Sequence, residues 1–129
     1  MQGVPHDRVM AYYDQGVGES SGDVYLLYLD PDTGRVAAIV YTVTYGRPYV
    51  PTPDGPEPPE SGTFFFYEDY VTVDGLTVPT RFRGYAYQDG QEGAFRNEAW
   101  VSEISFREPF DEVRLVKPAD ARVEPYPIE

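Results

Sequence analysis

His6 is the only histidine in the chain, and so the only side chain whose ordinary pKa lies near neutrality. Any Ser-His-Asp chemistry has to use it. It sits between Pro5 and Asp7 near the N-terminus, and no nucleophile-elbow pattern accompanies it, so it reads as a bystander rather than a general base. Cysteine is absent, which removes thiol nucleophiles, thiolate metal ligands and disulfides. Asp30, Asp32 and Thr33 bring oxygen atoms close together. The other ligands and the closing Glu of a calcium loop are missing, however, and a turn accounts for all three residues. With 22 acidic residues, a carboxylate pair for glycoside hydrolysis is available by number, and Asp69 is its best candidate. No glycine-rich phosphate loop, Walker motif or dinucleotide fingerprint occurs. These residues nominate no catalytic group, no metal site and no cofactor, and the chain reads as non-enzymatic.

Charge narrows the partners. A net charge of −12 argues against nucleic acid, whose binding depends on basic residues neutralising phosphates, and against an anionic membrane surface. No run approaches the ~20 apolar residues that span a membrane, and the first ten residues hold no apolar signal-peptide core. At 129 residues the chain reads as a single β domain, 1–129.

Apolar surface on strands is what the sequence does offer. From Thr63 to Tyr87, two stretches rich in aromatic and β-branched residues flank Asp74-Gly75. That pair supplies the two positive-φ positions of a type I′ hairpin turn. The turn sets Val73 against Leu76, Val71 against Val78, Tyr67 against Phe82 and Phe65 against Gly84. On the other face it sets Thr72 against Thr77, Glu68 against Arg81 and Phe66 against Arg83. The first face is mainly apolar, and Asp69 falls on it opposite Thr80, where a hydrogen bond to Thr80 or to backbone explains it without catalysis. The second face carries a charge pair and an aromatic–Arg pair, and the register brings Arg81 near Glu98 as well, in a Glu–Arg–Glu ladder.

The remaining strands follow from composition. Residues 8–14 form a first strand and 23–30 a second. A turn over Asp30-Pro31-Asp32-Thr33-Gly34 leads into a third at 35–45. Pairing Asp30 with Arg35 sets Leu26 opposite Ile39 and Leu27 opposite Ala38, apolar on both faces and so a mid-sheet pair. Residues 46–62 hold Pro48, Pro51, Pro53, Pro56, Pro58 and Pro59, and read as a long acidic loop. Asp89-Gly90 is another turn, and 94–106 is the last strand, with a bulge near Ser102–Glu103. The tail 107–129 reads as irregular, anchored by Phe110, Val113, Leu115 and Val116. The fold class is all-β: an antiparallel meander of some six strands in a curved open sheet or half-barrel, with little or no helix. Ligand contacts are expected from the apolar face: Ile39, Tyr41, Val43, Phe65, Tyr67, Val71, Val78 and Phe82.

Three stretches carry a family resemblance: GVGESSGDVYLLYLDPDTGRVAAIVYTVTY (16–45), FYEDYVTVDGLTVPTRF (66–82) and EPFDEVRLVKPADA (108–121). They resemble the latter half of LolA-like proteins, the outer-membrane lipoprotein-carrier superfamily. The resemblance implies an incomplete antiparallel β-barrel whose concave face holds lipid or another apolar ligand, usually outside the cytoplasm. It carries over no catalytic residues. Family members are longer, with a signal peptide and helices closing the cavity. A six-strand piece leaves open edges and an uncovered apolar face, from which a homodimer is expected.

Three readings of function stand side by side. An apolar-ligand or lipid-binding domain requires a cavity of ~300–1,000 Å³. A structural or protein-interaction module requires a flat apolar face covered by a partner chain. A carbohydrate-binding sandwich requires a row of exposed rings, drawn from Trp100, Tyr85, Tyr87 and Phe64 beside Arg81 and Arg83.

Overall fold

The computed structural model describes residues 4–14, 17, 20–45, 55–109 and 111–122. Among them run eight strands: β1 Asp7–Tyr12, β2 Val24–Leu29, β3 Val36–Tyr41, β4 Ser61–Glu68, β5 Val71–Val73, β6 Leu76–Val78, β7 Arg81–Gln88 and β8 Gln91–Trp100. Six form one antiparallel sheet in the order β1-β2-β3-β4-β7-β8, open at both edges, while β5 and β6 make a separate ribbon. One 3-10 turn, Glu112–Leu115, is capped by the Asp111 side chain, and the described residues hold no α-helix. The all-β antiparallel reading of the sequence is what the structure has.

The long hairpin keeps the expected register throughout. Glu68 faces Arg81, Phe66 faces Arg83 and Val71 faces Val78, and the turn residues Asp74 and Gly75 both take positive φ (52° and 89°). The hairpin is nonetheless divided into β4–β7 and the β5–β6 ribbon. Pro79 stands at the break opposite Tyr70, and without an N–H it cannot continue the ladder. The Thr80 hydroxyl donates to the Asp69 carbonyl at 2.6 Å, so the expected Asp69–Thr80 contact runs through the main chain of Asp69, whose side chain is exposed.

One expected register is corrected. Leu29 faces Val36 as the turn requires, but Tyr28 faces Ala38, Leu27 faces Ile39 and Leu26 faces Val40. Ala37 is an extra residue, a bulge that shifts every pair beyond it by one. Leu26 therefore shares a face with Val40, and Ile39 joins Leu27 on the opposite one.

That shift decides where the core lies. Leu26, Tyr28, Ala38, Val40, Phe64, Phe66 and Tyr87 bury together on what we term the inner face. Side chains from strands that are not neighbours meet there. The rings of Tyr28 on β2 and Phe64 on β4 lie 5.0 Å apart, and Phe64 in turn meets the ring of Tyr87 on β7 at 5.5 Å. Burying rings of this size contributes about 1.5–3 kcal/mol each. The even-numbered face of β4 is thus the core, although the charges made it look like the polar one. The charges collect at one end of it, where they pair. Arg83 grips Glu68 with two donors, and Arg81 bonds Glu98 at 2.5 Å. These diagonal pairs replace the expected Glu–Arg–Glu ladder, because the long Arg side chains reach one pair beyond their direct partners. The proposed aromatic platform dissolves for the same reason. Phe64 and Tyr87 belong to the core, and Trp100 is left 68% exposed.

The last strand ends at Trp100, and its bulges fall at Arg96 and near Gly93–Ala94 rather than at Ser102–Glu103. In the tail Val113, Leu115 and Val116 are exposed, so they anchor nothing. Val113 and Leu115 lie in the 3-10 turn and Val116 caps its end. Phe110 and most of the proline-rich loop, 46–54, lie outside the described residues. Residues 55–60 are irregular, and Ser61 and Gly62 belong to β4.

Candidate functional site

The weakest seam of the sheet lies between β3 and β4. Only Ala38↔Phe66 and Ile39↔Phe65 pair across it. Beyond that point each strand keeps its other neighbour. The end of β3 stays on β2: Thr42 N–H donates to the Val24 carbonyl (3.0 Å) and Val24 N–H to the Thr42 hydroxyl (2.8 Å). Asp23, the one buried acidic residue among those described, then accepts from both the N–H and the hydroxyl of Thr44. The start of β4 stays on β7, from Ser61↔Gln88 to Phe64↔Tyr85.

Where the strands part, a cleft of ≈ 510 Å³ opens, lined by Tyr41, Thr42, Val43, Thr44, Ser61, Gly62, Thr63 and Phe65. Its apolar wall is ordered by stacking. The Tyr41 ring lies between Tyr25 (5.7 Å, 20°) and Phe65 (6.1 Å, 21°), while Val43 is 60% exposed beside it. Burial, and then the charge of Asp23, pushes the Tyr25 phenol above its ordinary pKa. The opposite wall offers the hydroxyls of Ser61 and Thr63. Gly62 holds a φ of 150°, open to glycine and strained for other residues.

No side chain lining the cleft carries a formal charge, but a cation stands at its rim. Arg96 Nη1 donates to the Thr63 hydroxyl at 2.5 Å. To do so the side chain reaches from β8 past β7 to β4. The bulge at Arg96 turns it to the outer face, where β7 sets the small Ala86 and Gly84 opposite Thr63 and Phe65. A side chain at Gly84 would meet Asn97 Oδ1 at 2.1 Å and Thr63 Cγ2 at 3.3 Å.

Of the eight residues expected to contact ligand, Tyr41, Val43 and Phe65 line the cleft. Ile39 is beside them, paired with Phe65. Tyr67 and Phe82 share the outer face farther along, their rings 5.4 Å apart edge to face, and Val71 and Val78 pair on the separate ribbon. The structure therefore gathers three of the eight and spreads the rest. Sequence reasoning missed Thr42, Thr44, Ser61, Thr63 and Arg96. The available signal was Ser61-Gly62 directly after the prolines, where β4 begins without a partner on β3.

The other candidates stay apart from this site. His6 Nδ1 bonds the Val4 carbonyl at 2.9 Å. Asp30 accepts from the N–H and hydroxyl of Thr33, which lower its pKa and close the 30–34 turn. Among the described residues no cluster of His, Asp and Glu could hold a metal, and no helix is long and apolar enough to cross a membrane. Compared with protein-family models, curated proteins and solved structures, the chain finds no match in any of the three.

Proposed function

We propose that this chain is a non-enzymatic β-sheet domain that binds a lipid or other apolar ligand in the cleft between β3 and β4, a function of the kind the LolA-like resemblance implies. The observation that carries the reading is the cleft itself. It falls within the usual ~300–1,000 Å³ of small-ligand sites. It is also walled by Tyr41, Val43 and Phe65, with hydroxyls opposite. The inner face, packed with the protein's own rings, leaves the outer-face cleft as the place for a ligand. A sugar platform is less well supported. Of its rings, Trp100, Tyr85, Tyr87 and Phe64, both Tyr87 and Phe64 are buried in the core.

A second reading, a homodimer or other protein-interaction module, draws on β1. Among the described residues this edge strand has no neighbour on its outer side, it is free of bulges, and Val9 is 45% and Tyr12 53% exposed. Native mass spectrometry of the freshly purified protein separates the two. One apolar molecule carried per chain supports the cleft reading. A ligand-free dimer supports the second. A bare monomer that also fails to take up an apolar fluorescent probe contradicts the first.

A further inference from the structure

We infer that Arg96 holds the head of the bound ligand, and that the ligand is a single-chain carboxylate amphiphile, a fatty acid. The inference rests on the cleft reading above and adds the headgroup to it. Four observations carry it. First, Arg96 is tied to the cleft wall through the Thr63 hydroxyl. Second, that bond uses one of five guanidinium donors, leaving a planar fork that matches a carboxylate. Third, no described carboxylate pairs with Arg96, although Arg81, Arg83 and Arg107 each have one in this strongly acidic chain. Arg8 and Arg35 likewise form no ion pair among the described residues, but Arg96 is the one bonded to the cleft wall, beside an apolar slot. Fourth, β7 places only small residues beside this part of β4, Ala86 opposite Thr63 and Gly84 opposite Phe65.

The geometry also sets the pose. With the head at Arg96 and Thr63, the hydrocarbon runs past Phe65 and Tyr41 to Val43, the exposed end of the apolar wall. Repulsion from the net charge of −12 does not forbid this, because charges beyond ~8 Å are screened at physiological salt while a contact pair is not. A neutral ester of the same chain fills the same slot but gains nothing from Arg96.

The test is a fluorescence titration of the full chain with cis-parinaric acid and with its methyl ester, for the unaltered protein, Arg96→Gln and Arg96→Lys. The pair is exposed, so the expected preference is modest, about fivefold for acid over ester. Arg96→Gln should abolish that preference, so that acid and ester bind alike, and Arg96→Lys should keep part of it. Equal binding of acid and ester by the unaltered protein overturns the assignment of Arg96 and leaves the apolar cleft standing. So does a preference that survives Arg96→Gln. Failure of both probes to bind overturns the cleft reading and the headgroup with it.

Discussion

A single oxygen of Asp23 accepts two hydrogen bonds from Thr44, one from its N–H at 2.6 Å and one from its hydroxyl at 2.7 Å. The two residues lie just before β2 and just past β3. Together with Thr42 and Val24 they hold residues 42–44 on β2, away from β4. The cleft exists because this clamp takes one wall to one side while the β4–β7 ladder takes the other wall to the other.

Asp23→Ala should therefore cost about 2–3 kcal/mol, as expected for losing a buried charged acceptor with two donors on it. It should also weaken uptake of an apolar probe. Urea denaturation and probe titration of the same variant check both effects. Asp23→Asn, which keeps an acceptor oxygen, should lose about half as much stability.

Deleting Ala37 should leave the core pairs in place. With the extra residue gone, Val36 still faces Leu29, and Ala38, Ile39 and Val40 still face Tyr28, Leu27 and Leu26, now in an unbroken ladder. Circular dichroism should show the cooperative transition retained in the deletion variant, whereas inserting a second residue beside Ala37, which turns Ala38 and Val40 to the outer face, should abolish it.

The alkaline limb of stability should belong largely to Tyr28. Burial first, and then the neighbouring Tyr87 hydroxyl, pushes the Tyr28 phenol up from 10.0 to about 12. The folded protein thus holds this proton more tightly than the unfolded chain. The stabilisation is whole below pH 10 and is lost as pH rises from 10 towards about 12. Burial raises Tyr25, Tyr67 and Tyr70 in the same direction. Denaturation midpoints measured across this range should fall with pH in the unaltered protein and fall less steeply in Tyr28→Phe.

Gly84→Val should place branched carbons against Asn97 and Thr63. Overpacking of this kind costs about 1–3 kcal/mol. Thermal unfolding measures that cost. A normal melting temperature would show that Asn97 swings away.

The strands and turns were legible because their signals are local. Asp74-Gly75 alone sets a register that holds from Ser61 to Gln88. Leu26 and Ile39 were mispaired because a bulge leaves no mark at Ala37. One small residue among Val36, Ala37 and Ala38 looks like its neighbours, and only the pairing of Tyr28 with Ala38 singles it out. The choice of core face failed for a related reason. Arg81 and Arg83 share a face with Phe64 and Phe66, and the pairing that lets the charges gather at one end depends on three strands at once. The apolar half of the cleft was readable from Tyr41, Val43 and Phe65. Its polar half was not, because the parting of β3 from β4 depends on Asp23 and Thr44, which are 21 residues apart in the chain.

The most direct measurement is the titration of Val43→Asp with an apolar fluorescent probe. Val43 is 60% exposed, so the substitution leaves the core untouched while placing a charge at the mouth of the cleft. The unaltered protein should bind the probe saturably, one per chain, and Val43→Asp should lose at least tenfold in affinity, since a carboxylate against hydrocarbon costs more than ~1.4 kcal/mol. Equal binding by the two proteins, or uptake that never saturates, would contradict a ligand site between β3 and β4.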